Sequence, residues 1–199
     1  MVDYVLLHEL SHLEQLNHSE VFWNLLEGRF TGSRDIGERI CKTAGLKKVT
    51  MELGSNAPFV VMPDADPEKV AKAAAMSGYS NAGQVCISSQ RVLAHKDIYG
   101  DLIDLLTPKV DALTAGDPLK ESTNVGPMVR ERDAVRVEEW IQEAAGQGAR
   151  VLTGGDRSGA VFVPAVVADV NPKMKISCDE LFGPALGITP FETVDDGIS

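Results

Sequence analysis

From Pro58 onward, short apolar runs alternate with longer stretches of helical periodicity, and this alternation restricts the chain more than any other feature. Phe59-Val60-Val61-Met62 is wholly apolar, the pattern of a strand buried on both faces of a parallel sheet. Asp66-Pro67-Glu68 follows, with aspartate placed as N-cap and proline at the first helical position, so a helix with an alanine-rich stripe begins there. Arg91-Val92-Leu93-Ala94 is strand-like, and a second helix is expected over roughly residues 97–106. Residues 132–145 carry the clearest amphipathic pattern: Val135, Val137, Trp140, Ile141 and Ala144 stand among charges, and Gly146 and Gly148 end it. Arg150-Val151-Leu152 and residues 162–167 read as strands around the Gly154-Gly155 turn. Strands alternating with helices give an α/β fold, a mostly parallel sheet flanked by helices.

Upstream, Ile36, Ile40, Cys41 and Ala44 recur at helical spacing and Gly45 is a natural stop, which puts Cys41 in the core. Residues 48–53 alternate weakly and end in a glycine turn, as a strand does. The formal net charge of −10 argues against a broad nucleic-acid or anionic-membrane surface, because neither polyanion would be attracted. Three widely spaced cysteines make no disulfide framework and suit a reducing compartment. No apolar run approaches the ~20 residues that span a bilayer. The start shows neither a basic n-region nor a small-residue cleavage site, so the expected location is cytoplasmic.

Cys86 closes the run Asn81-Ala82-Gly83-Gln84-Val85-Cys86, between the alanine-rich helix and the strand at Arg91. An irregular connection of this kind can present a reactive thiol to a ligand. Glu52 ends its strand-like stretch and precedes Gly54, which would put a carboxylate on the rim of a cleft. Cys178 stands beside Asp179 and Glu180, whose like charge raises its thiol pKa and makes it the poorer nucleophile.

Four motifs fall in order along the chain: Phe30-Thr31-Gly32-Ser33, Met51-Glu52-Leu53-Gly54-Ser55-Asn56-Ala57-Pro58, the Cys86 run, and Glu180-Leu181-Phe182-Gly183-Pro184. Together, and with Cys86 34 positions after Glu52, they resemble the aldehyde dehydrogenase superfamily from about Phe30 to Ser199. The resemblance implies oxidation of an aldehyde to a carboxylic acid through a cysteine-bound thioester, with NAD or NADP as cofactor. Cys86 is then the nucleophile and Glu52 the base that activates a hydrolytic water. Gly32, Ser33, Leu53 and Gly54 lie against the cofactor, with Glu180 on the nicotinamide ribose and Phe182 beside the nicotinamide. The Cys86 backbone N–H would be an oxyanion donor. Most of the family's dinucleotide-binding domain should precede Phe30, and the end of the catalytic domain, with the strand that joins subunits, should follow Ser199. The partner implied is a small aldehyde, and the family's habit is a homo-oligomer.

Residues 1–29 are expected to form a separate, short helical segment. In His8-Glu9-Leu10-Ser11-His12 the two histidines are four apart, so on a helix they share a face and can hold one metal, with Glu9 beside them as base. With His18, Phe22 and Trp23 the pattern resembles a family of small zinc metallopeptidase domains, in which a third histidine completes the site. Three histidines and an open water position would be a catalytic zinc arrangement. The character of the chain changes around Glu27-Gly28-Arg29, which divides it into a metallopeptidase-like fragment, residues 1–29, and a partial aldehyde dehydrogenase domain, residues 30–199. Two alternatives stand beside aldehyde oxidation: zinc peptidase chemistry at His8, Glu9, His12 and His18, or a non-catalytic fusion remnant.

Overall fold

The computed structural model describes residues 33–51, 54–56 and 58–198. The chain divides into two compact units, Met1–Ser55 and Asn56–Ser199. The expected helical segment at residues 1–29 lies outside the described residues.

In the first unit, helix α1 (Ser33–Ala44) ends where expected, at Gly45 in the left-handed region with φ +62°. Cys41 and Ile40 are both exposed, so the core position expected for Cys41 is corrected. Helical periodicity marks a face that can be covered; it does not supply the cover. Residues 48–51 are irregular rather than the strand that alternation suggested. A strand exists only by pairing, and weak alternation without a ladder partner does not make one.

The second unit is a five-stranded sheet in the order β1-β2-β7-β6-β3 with helices packed on it. Its elements are β1 (Pro58–Val61), α2 (Pro67–Tyr79), β2 (Arg91–His95), α3 (Lys96–Asp111), α4 (Glu131–Gly146) and β3 (Arg150–Thr153). They continue with β4 (Arg157–Ser158), β5 (Val161–Phe162), β6 (Ala165–Ala168), α5 (Lys175–Cys178), β7 (Ala185–Phe191) and α6 (Val194–Ile198). β1, β2, β7 and β6 run parallel, and β3 joins β6 antiparallel. β4 and β5 form a separate small hairpin.

Each helix forms for a local reason. Asp66 caps α2, its Oδ1 accepting from the Glu68 and Lys69 N–H groups at 3.1 and 3.3 Å, and Pro67 takes the first helical position. Before its last residue, the buried Tyr79, α2 buries only small groups, Ala71, Ala74 and Gly78, which lets it lie close to the sheet. α4 buries Ala134, Val137, Ile141 and Ala144 at helical spacing. Trp140 is half-covered, with the Arg136 guanidinium 4.8 Å from its ring centre. α3 buries Ile98, Leu102, Leu106 and Val110, each four residues after the last. It therefore runs through Pro108 to Asp111, beyond the stop expected at residue 106. The stripe explains the extension: burying a side chain such as Val110 is worth about 1.5–3 kcal/mol, comparable with the ~3 kcal/mol that an interior proline costs.

Three strand expectations are corrected. Val60 is exposed and Phe59 half-buried, so β1 is not covered on both faces. The stretch 162–167 is two strands, β5 and β6, parted at Val163-Pro164, where the proline has no N–H to give a ladder. The strand buried at every residue is β6, and the longer β7 is buried at every residue but Pro190. β7 lies at the centre, flanked by β2 and β6, and Pro190 comes after the β6 pairing has ended at Gly187.

Register places the amino ends of three parallel strands side by side: Pro58 opposite Arg91, and Arg91 opposite Gly187. The segments that enter β1, β2 and β7 there include Asn56, the Cys86 run and the Glu180–Pro184 loop.

Candidate active site

α2 ends at Tyr79, fully buried, whose hydroxyl donates to the Ala165 carbonyl at 2.8 Å and so ties the helix end to the start of β6. Burial pushes the phenol pKa up, and it stays a neutral donor. The chain then turns through three consecutive left-handed residues, Asn81, Ala82 and Gly83, at φ 51°, 56° and 67°. A turn closed by Ser88 N–H to Val85 O at 2.9 Å carries Cys86 and Ile87 at its two central positions, both exposed. The loop is anchored on its far side as well: the buried Ser88 hydroxyl donates to Ser77 O and Gly78 O at 3.2 and 3.3 Å. Ser77 and Ser89 share a hydroxyl–hydroxyl bond of 2.8 Å. No described residue accepts from the Cys86 N–H.

The Glu180–Pro184 loop meets this one backbone to backbone. A Cβ on Gly83 would stand 2.1 Å from the Gly183 oxygen, and one on Gly183 would stand 2.5 Å from Val137 Cγ2 of α4. Only glycine at both positions permits the packing. Leu181 is fully buried beneath the loop, while Glu180 and Phe182 are half-buried. Phe182 is left-handed at φ 46°, and its N–H donates to Gln90 Oε1 at 2.8 Å. Arg136 on α4 is held below its ordinary pKa by burial, opposed by the Asp133 and Glu180 carboxylates.

Two further amides join the motifs. Gln84 Oε1 accepts the Val129 N–H at 2.8 Å, which pins the cysteine loop to the segment before α4. Asn56 Nδ2 donates to Ser177 O at 2.6 Å and Asp179 O at 3.1 Å, which ties the entry to β1 to the stretch just before Glu180. Arg91 Nη1 also donates to Ser177 O, at 3.4 Å.

Of the residues singled out by sequence, Cys86, Glu180 and Phe182 are therefore gathered at one end of the sheet. Gly54 is half-buried and irregular, and Ser33 opens α1, in the other unit. Glu52, Leu53 and Gly32 lie outside the described residues, as do His8, Glu9, His12 and His18. Among the described residues no group of three or more His, Cys, Asp or Glu could hold a metal. Cys178 has its thiol pKa raised, as expected, but the cause is corrected: partial desolvation comes first, then the Asp179 and Glu143 carboxylates. Although the residue is exposed, its Sγ is drawn to Lys173 O at 3.8 Å. Sequence reasoning passed over Gln90 and named Asn56 and Gln84 only as members of their motifs. Nothing in the sequence marks Gln90 out, because the whole stretch Ser88-Ser89-Gln90-Arg91 is polar.

The geometry defines an α/β unit built to hold an exposed cysteine beside a glutamate–phenylalanine loop. The model of the aldehyde dehydrogenase family matches residues 28–199, and the chain belongs to that family. A 3-sulfolactaldehyde dehydrogenase of Priestia aryabhattai is 45% identical over 170 residues, which are 85% of this chain and 36% of the relative. Among solved structures, succinate-semialdehyde dehydrogenase from Burkholderia pseudomallei superposes with a TM-score of 0.79 at 33% identity, over 85% of this chain and 36% of that one. An NADP dependent enzyme of E. coli gives 0.78 at 36% identity, over 84% and 36%. The chain thus spans little more than a third of the length of these relatives. The model of a YgjP-like metallopeptidase domain matches residues 1–40. No described helix is long and apolar enough to cross a membrane.

Proposed function

We propose that this chain carries the nucleophile half of an NAD(P)-dependent aldehyde dehydrogenase, oxidising an aldehyde to a carboxylic acid. The observation that carries the reading is the contact between Gly83 and Gly183, which fixes the Cys86 loop against the loop that bears Glu180 and Phe182. The residues fit the nicotinamide-ribose end of such a cofactor. A left-handed Phe182, braced by buried Gln90, is strain of the kind that functional loops store. Glu180 and Phe182 would hold that end, with Gly32, Ser33, Leu53 and Gly54 towards the pyrophosphate, where the start of α1 offers N–H groups to an anion. When bound, a nicotinamide supplies the hydride acceptor that no side chain can provide.

The chain's own residues do the rest. Cys86 Sγ, as thiolate, bonds to the aldehyde carbon, and the Cys86 N–H, with no described acceptor of its own, receives the developing oxyanion. Oxidation leaves a thioester on Cys86. Glu52 takes a proton from a water that attacks this carbonyl, releasing the acid and regenerating the thiolate. The same reading makes the partner a small aldehyde, expects self-association, and keeps the chain in the cytoplasm, where free cysteines at 41, 86 and 178 are at home. It divides the chain near residue 29.

The test uses a chain extended on both sides by the flanks of the Priestia relative. General-base help is worth about 10²–10⁴ in rate, so Glu52→Gln should give one fast burst of NADH per site followed by slow turnover. Cys86→Ala should give none. Turnover of Glu52→Gln at the unmutated rate removes Glu52 from the role. A second reading, zinc held by His8, His12 and His18 with Glu9 as base, has the match of residues 1–40 behind it.

A further inference from the structure

Gln90 stands immediately before β2 and is 1% exposed. Its side-chain Oε1 accepts the Phe182 N–H at 2.8 Å, and its main-chain carbonyl accepts the Gly187 N–H at 3.0 Å. One residue therefore grips both the middle of the Glu180–Pro184 loop and β7 beyond it. Phe182 at φ 46° occupies a region that a bulky L residue leaves unless it is held there. Leu181 anchors the loop by full burial, but a buried leucine does not choose the φ of the residue after it.

The amide orientation is fixed by the same bond. Turned over, Nε2 would face the Phe182 N–H donor to donor. As it stands, Nε2 is buried without a hydrogen-bond partner among the described residues. An unmet buried donor lowers stability. The glutamine keeps that cost while its Oε1 meets the Phe182 N–H, so the contact with Phe182 is what its amide serves.

We propose that Gln90 is a positioning residue. It holds Phe182 left-handed and so sets where the Glu180 carboxylate and the Phe182 ring stand relative to Cys86. Its importance for function rests on the reading of Glu180 and Phe182 as nicotinamide-ribose groups.

The experiment is done on the 199-residue chain. Gln90→Met keeps the bulk and removes the acceptor. Gln90→Asn keeps a polar amide that is too short to reach Phe182, and serves should the first variant fail to fold. Gln90→Glu keeps an acceptor oxygen at the same reach. Amide hydrogen exchange at Phe182 should speed up about 10-fold in Gln90→Met and Gln90→Asn, the scale of one lost hydrogen bond. It should return towards the unmutated rate in Gln90→Glu, and amides inside α3 should not change. Binding of reduced nicotinamide mononucleotide, followed by its fluorescence, should weaken by about the same factor in the two variants that lack the acceptor. Unchanged exchange at Phe182 overturns the assignment, and so does equal binding of the mononucleotide by unmutated chain and Gln90→Met. If exchange rises as expected while no form binds the mononucleotide, the cofactor reading of this loop falls and the positioning of Phe182 by Gln90 stands.

Discussion

Replacing Gly83 by alanine tests the joint between the two loops. Gly83 sits at φ 67°, so any side chain there costs about 1–2 kcal/mol in backbone conformation alone. The added Cβ would also stand 2.1 Å from the Gly183 oxygen and 2.5 Å from its carbonyl carbon. These are backbone atoms, and Gly183 is backed by Val137, so no flexible side chain can swing aside. Overpacking of this kind typically costs a further 1–3 kcal/mol, roughly 3–4 in all. Gly159 provides the control: φ is 60°, but a Cβ there meets nothing within 4 Å, which leaves the conformational cost alone. At about 2–4 °C per kcal/mol for a chain of this size, Gly83→Ala should lower Tm by roughly 10 °C and Gly159→Ala by roughly 4 °C. Circular dichroism melts of the three proteins decide it. Equal Tm values for the two variants would refute the claim that the loops are packed backbone against backbone.

Iodoacetamide should label Cys86, exposed on its turn, before Cys178, whose thiol pKa is raised by desolvation and by Asp179. Peptide mapping across a pH series should show Cys178 catching up only in alkali, and Cys178 reacting first at neutral pH would count against Cys86 as nucleophile. Asp169, bonded by Arg150 Nε and by the Tyr99 hydroxyl at 2.7 Å, has its carboxyl pKa lowered, chiefly by the arginine. Its contribution is therefore complete above the usual unfolded value of about 3.9 and is lost as pH falls through the lower folded value. Urea midpoints of unmutated chain and Asp169→Asn should differ at pH 7 and converge in acid, whereas a gap that persists at the lowest pH would show that charge is not what Asp169 contributes.

What the sequence revealed was what local chemistry controls. The Asp66-Pro67 start of α2 and the stripe of α4 are written in residues that touch each other within a turn or two. β7 was hidden because prolines border and interrupt it, and its central place depends on β2 and β6, far away in the chain. Cys86 was legible from its motif, and its turn matches an irregular connection. The bracing of that turn was not: Gln84 meets Val129, Gln90 meets Phe182 and Asn56 meets Ser177, and no spacing rule relates residues 45, 92 and 121 positions apart. Cys41 shows the opposite failure, a pattern that was present without a neighbour to cover it.

In open parallel sheets the working edge is ordinarily at the carboxyl ends of the strands. In this unit Cys86 and the Glu180–Pro184 loop gather at the amino ends of β2 and β7, and the opposite rim carries the start of α3 and the short helix α6. There Val61 leads into a turn closed by Ala65 N–H to Met62 O at 3.0 Å, and His95 rests its ring edge against Phe191, 5.4 Å between centres. Strands of four to seven residues, at about 3.3 Å per residue, put roughly 13–23 Å between that rim and the thiol. A reporter dye on Asp64, or a short insertion after Glu192, would ride on the scaffold at the end away from Cys86. The fold thus has a handle at the end away from its cysteine.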